Sequence, residues 1–95
     1  MNLEKLMRDR IRTGEGNAVP SAALESLTGL NSREVRQHIE AMRRSGAVIC
    51  SSASGYYYPE SRAELLRYIA KERRRAGSIQ RTLVSAETML NEWRD

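Results

Sequence analysis

Between Ala23 and Met42 the chain carries two apolar stripes of helical spacing, separated only by Thr28-Gly29-Leu30-Asn31. No other feature restricts the fold as much, because two helices joined by so short a turn must pack against each other at a steep angle. Gly29 is the expected stop, since glycine takes the left-handed cap conformation without strain. Leu30 is the apolar residue inside the turn. Asn31 opens the following helix with Glu34 three residues later, a capping-box spacing in which asparagine stands in for serine or threonine. That helix is predicted to run through Arg44 and to end at Ser45-Gly46. The helix before the turn is expected to begin at Pro20-Ser21, with Ser21 as its cap, and to reach about Leu27. Ala23, Leu24 and Leu27 would form its apolar stripe.

The flanks are read in the same way. Leu3, Leu6, Met7 and Ile11 share one face of a predicted helix over Asn2–Arg12, which ends in the turn formers of 13–17. Ala18-Val19 suits a very short strand. Ala47-Val48-Ile49-Cys50 reads as a strand, Ser51 to Gly55 as a turn, and Tyr56-Tyr57-Tyr58 as a second strand closed by Pro59, which together make a hairpin. Alternation puts Tyr57 on the face opposite its two neighbours, so at least one ring belongs to the core. The predicted class is mainly α with a small β-hairpin: a winged helix-turn-helix domain over 1–59 and a long C-terminal helix over 60–95.

From Glu60 to Arg94 the apolar residues Leu65, Ile69, Ala76, Ile79, Leu83, Ala86, Leu90 and Trp93 follow a 4-3-4-3 spacing interrupted only by Glu72. A seam of nearly five heptads indicates a coiled coil. Gly77-Ser78 is a candidate break, although the heptad phase continues through it. A small domain cannot cover such a seam, so a homodimer through Leu65, Ile69, Ile79, Leu83, Leu90 and Trp93 is expected, with parallel and antiparallel orientations both open. The alternatives are a hairpin folded at Gly77, or docking on Leu3, Leu6 and Met7.

Of the 16 basic side chains all but Lys5 and Lys71 are arginine, against 12 acidic ones, for a net charge of +4. Arginine's planar fork suits phosphate and base edges. The single cysteine, Cys50, cannot pair within the chain, and Met1–Arg12 lacks the apolar core of a signal peptide. No run approaches a membrane span. The expectation is therefore a cytoplasmic protein with no membrane partner. No catalytic set is legible. Gly14-Glu15-Gly16 lacks the lysine and the strand-loop-helix setting of a phosphate loop. His38 has no second ligand at metal spacing and reads as a packed or edge residue, and Cys50 as a buried structural thiol. No metal, small-molecule cofactor or enzymatic activity is expected.

The stretch Thr28-Gly29-Leu30-Asn31-Ser32-Arg33-Glu34-Val35-Arg36-Gln37-His38-Ile39, followed by Met42 to Ile49 and then Gly55-Tyr56-Tyr57, resembles the N-terminal winged-helix domain of biotin ligase repressors and related bacterial regulators. The resemblance covers about 40 residues. It implies the fold and a DNA-binding role. It implies no ligase activity, because 95 residues leave no room for that catalytic domain and the C-terminal helix stands in its place. Small chains of this design are also similar to phage or prophage regulatory proteins.

On a helical wheel at about 100° per residue, Val35, His38, Ile39 and Met42 share the inward face. Arg33, Gln37, Glu40 and Arg44 lie opposite, flanked by Ser32 and Arg36. Ser32, Arg33, Arg36 and Gln37 are the expected contacts to base edges, since arginine and glutamine pair bidentately with guanine and adenine. Arg43 and Arg44 are expected on phosphate. The hairpin, through Ser52, Ser54 and Tyr56, would touch phosphate or the minor groove, although its turn carries no Arg or Lys. Arg36 and Glu40 are spaced for an ion pair. The basic run Lys71–Arg75 reads equally as phosphate contact or as a solvated face. Three functions fit: a dimeric, sequence-specific regulator of transcription on double-stranded DNA; an adaptor or assembly protein that binds protein; and a phage DNA-packaging or replication accessory protein. Two-fold pairing would give an inverted-repeat site with half-sites about 34 Å apart or a multiple of that.

Overall fold

The computed structural model describes residues 2–93. Met1, Arg94 and Asp95, at the outer ends of the two segments expected from sequence, lie outside the described residues. The elements are α1 (Leu3–Arg10), β1 (Arg12–Thr13), a 3-10 turn (Glu15–Asn17), α2 (Ser21–Thr28), α3 (Ser32–Arg44), β2 (Cys50–Ser52), β3 (Gly55–Tyr58) and α4 (Arg62–Glu92). The chain is thus mainly α, with a small three-stranded sheet and a long C-terminal helix. It divides into two compact units, one up to Leu65 and one from Leu66 onward, whereas the pattern of the sequence suggested a division after Pro59.

The first unit is built on the turn between α2 and α3. Gly29 takes φ 78° and its N–H donates to the Glu25 carbonyl, ending α2 as expected. Asn31 Oδ1 accepts from the Glu34 N–H at 2.9 Å, and Glu34 Oε1 accepts from the Asn31 N–H at 3.1 Å, so the capping box is complete. The start of α2 differs from expectation. Pro20 occupies the cap position, and the Ser21 hydroxyl donates to Glu25 Oε2 at 3.0 Å instead of capping. Leu24 is fully buried while Leu27 is 42% exposed, so the core-facing stripe of this two-turn helix ends before Leu27.

The core gathers Met7, Ile11, Val19, Leu24, Val35, Ile39, Met42 and Ile49, with Ala23, Leu30, Ala47, Tyr56 and Tyr58 packed around it. Each fully buried large side chain contributes about 1.5–3 kcal/mol relative to exposure. Three stripes predicted from spacing therefore converge: Met7 from α1, Leu24 from α2, and Val35, Ile39 and Met42 from α3.

The sheet exceeds the expected hairpin. β2 and β3 pair antiparallel, Cys50 opposite Tyr57, and β1 adds in parallel on the other edge of β3, Arg12 opposite Tyr57. Ile11 leaves α1 in an extended conformation, which frees Arg12-Thr13 to pair, and the Gly14 N–H donates to the Tyr58 carbonyl at 2.8 Å. The helix expected to reach Arg12 therefore stops at Arg10. Ala18-Val19 contributes an isolated bridge between Val19 and Tyr56. The segment Ala47–Ile49 is not a strand: the Ala47 N–H turns back to the Met42 carbonyl, and pairing begins only at Cys50. Tyr57 is the buried tyrosine, at 3% exposure, and its cross-strand partner Cys50 is buried as well.

Ser61 opens α4 by accepting from the Glu64 N–H, and the Glu64 carboxylate accepts the N–H groups of Glu60 and Glu15. The helix runs through Gly77 without a break. Ser78 is interior to it, its carbonyl accepting from the Thr82 hydroxyl. Among the described residues, no helix is long and apolar enough to cross a membrane.

Two glycines separate backbone strain from steric exclusion. A Cβ on Gly55 (φ 130°) would stand 2.2 Å from the Val19 carbonyl oxygen, whereas one on Gly29 (φ 78°) would meet nothing within 4 Å. Gly29→Ala is expected to cost about 1 kcal/mol, the left-handed penalty alone. Gly55→Ala should cost on the order of 3 kcal/mol, because the β3 backbone must also move off Val19. Urea denaturation of the two variants measures both, and equal losses would contradict the assignment.

Candidate nucleic-acid interface

The outward face of α3 is set by what its inward face buries. Val35, Ile39 and Met42 are each at most 4% exposed. Ser32, Arg33, Arg36, Gln37 and Arg44 are exposed. His38, predicted to face inward, sits at the edge, half-exposed, with Nδ1 3.4 Å from Glu4 Oε2 on α1. Arg33, Arg36, Gln37, Glu40 and Arg44 line one shallow, open concavity of about 390 Å³.

Among the described residues Glu40 is the only acidic one lining it, and its carboxylate is paired. Arg43 Nη1 donates to Glu40 Oε1 at 2.7 Å, so the ion pair forms at i,i+3 with Arg43 and not at the spacing that offered Arg36. Among the described residues no ion pair engages Arg33, Arg36 or Arg44. The concavity is therefore lined by three available guanidinium groups, one amide and the Arg43-paired carboxylate of Glu40.

Arg43, expected on phosphate, is committed within the protein. Its Nε donates to the Ile49 carbonyl at 2.8 Å and its Nη2 to the Ser51 hydroxyl at 3.4 Å, while Nη1 holds Glu40. This side chain ties the last turn of α3 to the start of β2, in place of the strand that Ala47–Ile49 does not form. In sequence, a basic residue six positions before a β-branched one gives no sign of that role.

The hairpin residues are not among those that line the concavity. Ser52 Oγ accepts from the Ser54 N–H at 3.1 Å, which shapes the turn, and Ser54 is exposed. Tyr56 is half-buried in β3, packed against the core. Its phenol is raised above the ordinary tyrosine pKa by burial, opposed by the nearby Arg43 and Arg36 guanidinium groups. Tyr58 is raised mainly by burial as well, and its hydroxyl donates to the Arg8 carbonyl at 2.7 Å.

On α4, Leu65 and Ile69 are half-buried, while Ile79 (53%), Leu83 (52%), Leu90 (71%) and Trp93 (65%) are exposed. Leu66, Val84 and Met89 are also exposed and widen the stripe beyond the seam read from sequence. No group of His, Cys, Asp and Glu among the described residues is placed to hold a metal. No protein-family model, curated protein or solved structure matches the chain.

Two outcomes follow from these partners. Arg43→Ala should lower stability by about 2 kcal/mol, the scale of a charge-assisted hydrogen bond to a carbonyl that is then left without it. Arg36→Ala, on the open face, should change stability by less than about 0.5 kcal/mol. Thermal unfolding of both variants is the check. The raised phenols give a pH dependence of definite sign: the folded state holds these protons more tightly than the unfolded chain, so their contribution is complete below pH ~10 and is lost as pH rises above it. Tyr56→Phe combined with Tyr58→Phe should flatten that alkaline decline in a denaturation series.

Proposed function

We propose that this protein is a sequence-specific binder of double-stranded DNA: a winged helix-turn-helix regulator of transcription that acts in the cytoplasm as a dimer through α4. The reading rests on one observation, the exposed face of α3 that gathers Arg33, Arg36 and Gln37 with Arg44 while Glu40 is neutralised by Arg43. A major groove about 12 Å wide accepts one helix, and these are the side-chain types that read guanine and adenine edges there. Arg33, Arg36 and Gln37 meet bases together with Ser32 at the helix start. Arg44 meets phosphate, and the hairpin turn contributes only through its Ser52 and Ser54 hydroxyls and its backbone N–H groups. The protein works by binding and carries out no chemistry.

The lack of Arg and Lys in the hairpin turn favours a second reading, in which the same face docks on an acidic protein partner. A binding site selected from random duplexes, followed by anisotropy titration across salt, separates the two. DNA binding should weaken steeply as salt rises, because each neutralised phosphate releases counterions. Arg33→Ala and Gln37→Ala should each cost about 1–3 kcal/mol on the selected site and little on random DNA. Arg44→Ala should weaken all duplexes alike. Absence of binding to any duplex at low salt would favour the protein partner, and a sequence preference that survives loss of Arg33 and Gln37 would remove α3 as the reader.

A further inference from the structure

We infer that the exposed stripe of α4 is covered by a second copy of the same helix running antiparallel, with Ile79 facing Leu83 of the second copy. The inference rests on the dimer proposed above and fixes its orientation and register. Along the seam, Ile69, Ala76, Leu83 and Leu90 occupy one core position of the heptad, and Leu65, Glu72, Ile79, Ala86 and Trp93 the other. In a parallel pair each core residue meets its own copy. Glu72 would then face the second copy's Glu72 across a core layer, two like charges taken out of water together. The flanking positions of a parallel pair would set Tyr68 against Arg73, Arg75 against Gln80 and Thr82 against Glu87, with no pair of opposite charges.

Reversing one helix removes the conflict. With Ile79 opposite Leu83, the remaining layers are Ala76 with Ala86, Glu72 with Leu90, and Ile69 with Trp93, each occurring twice by symmetry. Every residue of the seam that is more than half exposed and large, namely Ile79, Leu83, Leu90 and Trp93, becomes covered. The flanking residues then pair like position with like, which brings Arg73 beside the second copy's Glu87, again twice, and Gln80 beside its own copy. Sliding the pair by one heptad in one direction would leave Trp93 without an apolar partner and set Arg73 against Gln80, and in the other would set Glu87 against Gln80; either slide loses the Arg73–Glu87 pairs, which therefore select the register as well as the direction.

Disulfide trapping tests this on the full chain, with native Cys50, buried at 0% exposure, left in place and the unaltered protein as control. Gln80→Cys should cross-link to its own copy under mild oxidation, because the two positions adjoin only in the antiparallel pair. Leu90→Cys should not, since its copy would lie about 27 Å away along the axis at 1.5 Å per residue. Arg73→Glu should raise the dimer Kd roughly five- to tenfold, and adding Glu87→Arg should restore it. Sedimentation reports the association state. A dimer that cross-links through Leu90→Cys and not Gln80→Cys overturns the orientation and leaves the dimer standing. A dimer that cross-links through neither, or through both, overturns the register. A monomer at all concentrations overturns the dimer itself and this inference with it.

Discussion

Burial of Val35, Ile39 and Met42 on one side of α3 is the constraint on which the rest of the first unit depends. These three side chains fix the rotation of the helix about its axis, and rotation alone decides that Arg33, Arg36 and Gln37 face outward. The reciprocal cap of Asn31 and Glu34 fixes where the helix begins. Polar side chains on an exposed helix face have no packing of their own to hold them in direction. Their placement is inherited from the opposite face, at about 1.5–3 kcal/mol per buried side chain.

A second device, Arg43, converts this orientation into a usable electrostatic surface. An arginine at the last turn of a helix suits the negative end of its dipole, and that alone would leave the guanidinium in water. Here it reaches the Ile49 carbonyl and the Ser51 hydroxyl, and with its remaining nitrogen it holds Glu40. Without that contact Glu40 would project a carboxylate into the concavity beside Arg36 and Arg44. One side chain therefore both anchors the chain entering the sheet and pairs with the acidic side chain that lines the concavity.

The periodic features were legible in the sequence. α3 and its cap, the Gly29 stop, a core ring among Tyr56–Tyr58 and the long apolar seam of α4 each recur over several turns or obey a fixed spacing, so one misread residue does not destroy the signal; which of the three rings is buried was left open by the alternation. What was not legible depends on partners distant in the chain. β1 is two residues long and carries no alternation; it exists because Ile11 leaves the helix to fill the core and β3 offers an edge. Ala47–Ile49 has strand composition but its backbone is drawn back to Met42, and Leu27 has helical spacing on a helix too short to bury it. Of the candidate interface residues, the exposed face of α3 followed from angle alone. The role of Arg43 did not, because an arginine bound to a carbonyl six residues away looks in sequence like any basic residue.

Charge is divided unevenly between the two units, and this bears on how the proposed function would work. Up to Leu65 the chain has nine basic and eight acidic side chains; beyond it, seven and four. The unit carrying the α3 face is thus nearly neutral as a whole, and its attraction for a polyanion is confined to the few guanidinium groups on that face. On the proposed reading, one copy has too few phosphate contacts for tight binding, and affinity has to come from linking two. That places the burden on α4, a helix whose apolar stripe is open along most of its length. A single helix of this kind is marginal in water unless something covers the stripe. On that reading, pairing with a second copy would stabilise α4 and supply the second reading head by the same contact, so that the uncovered helix and the few phosphate contacts of one copy would have a single remedy.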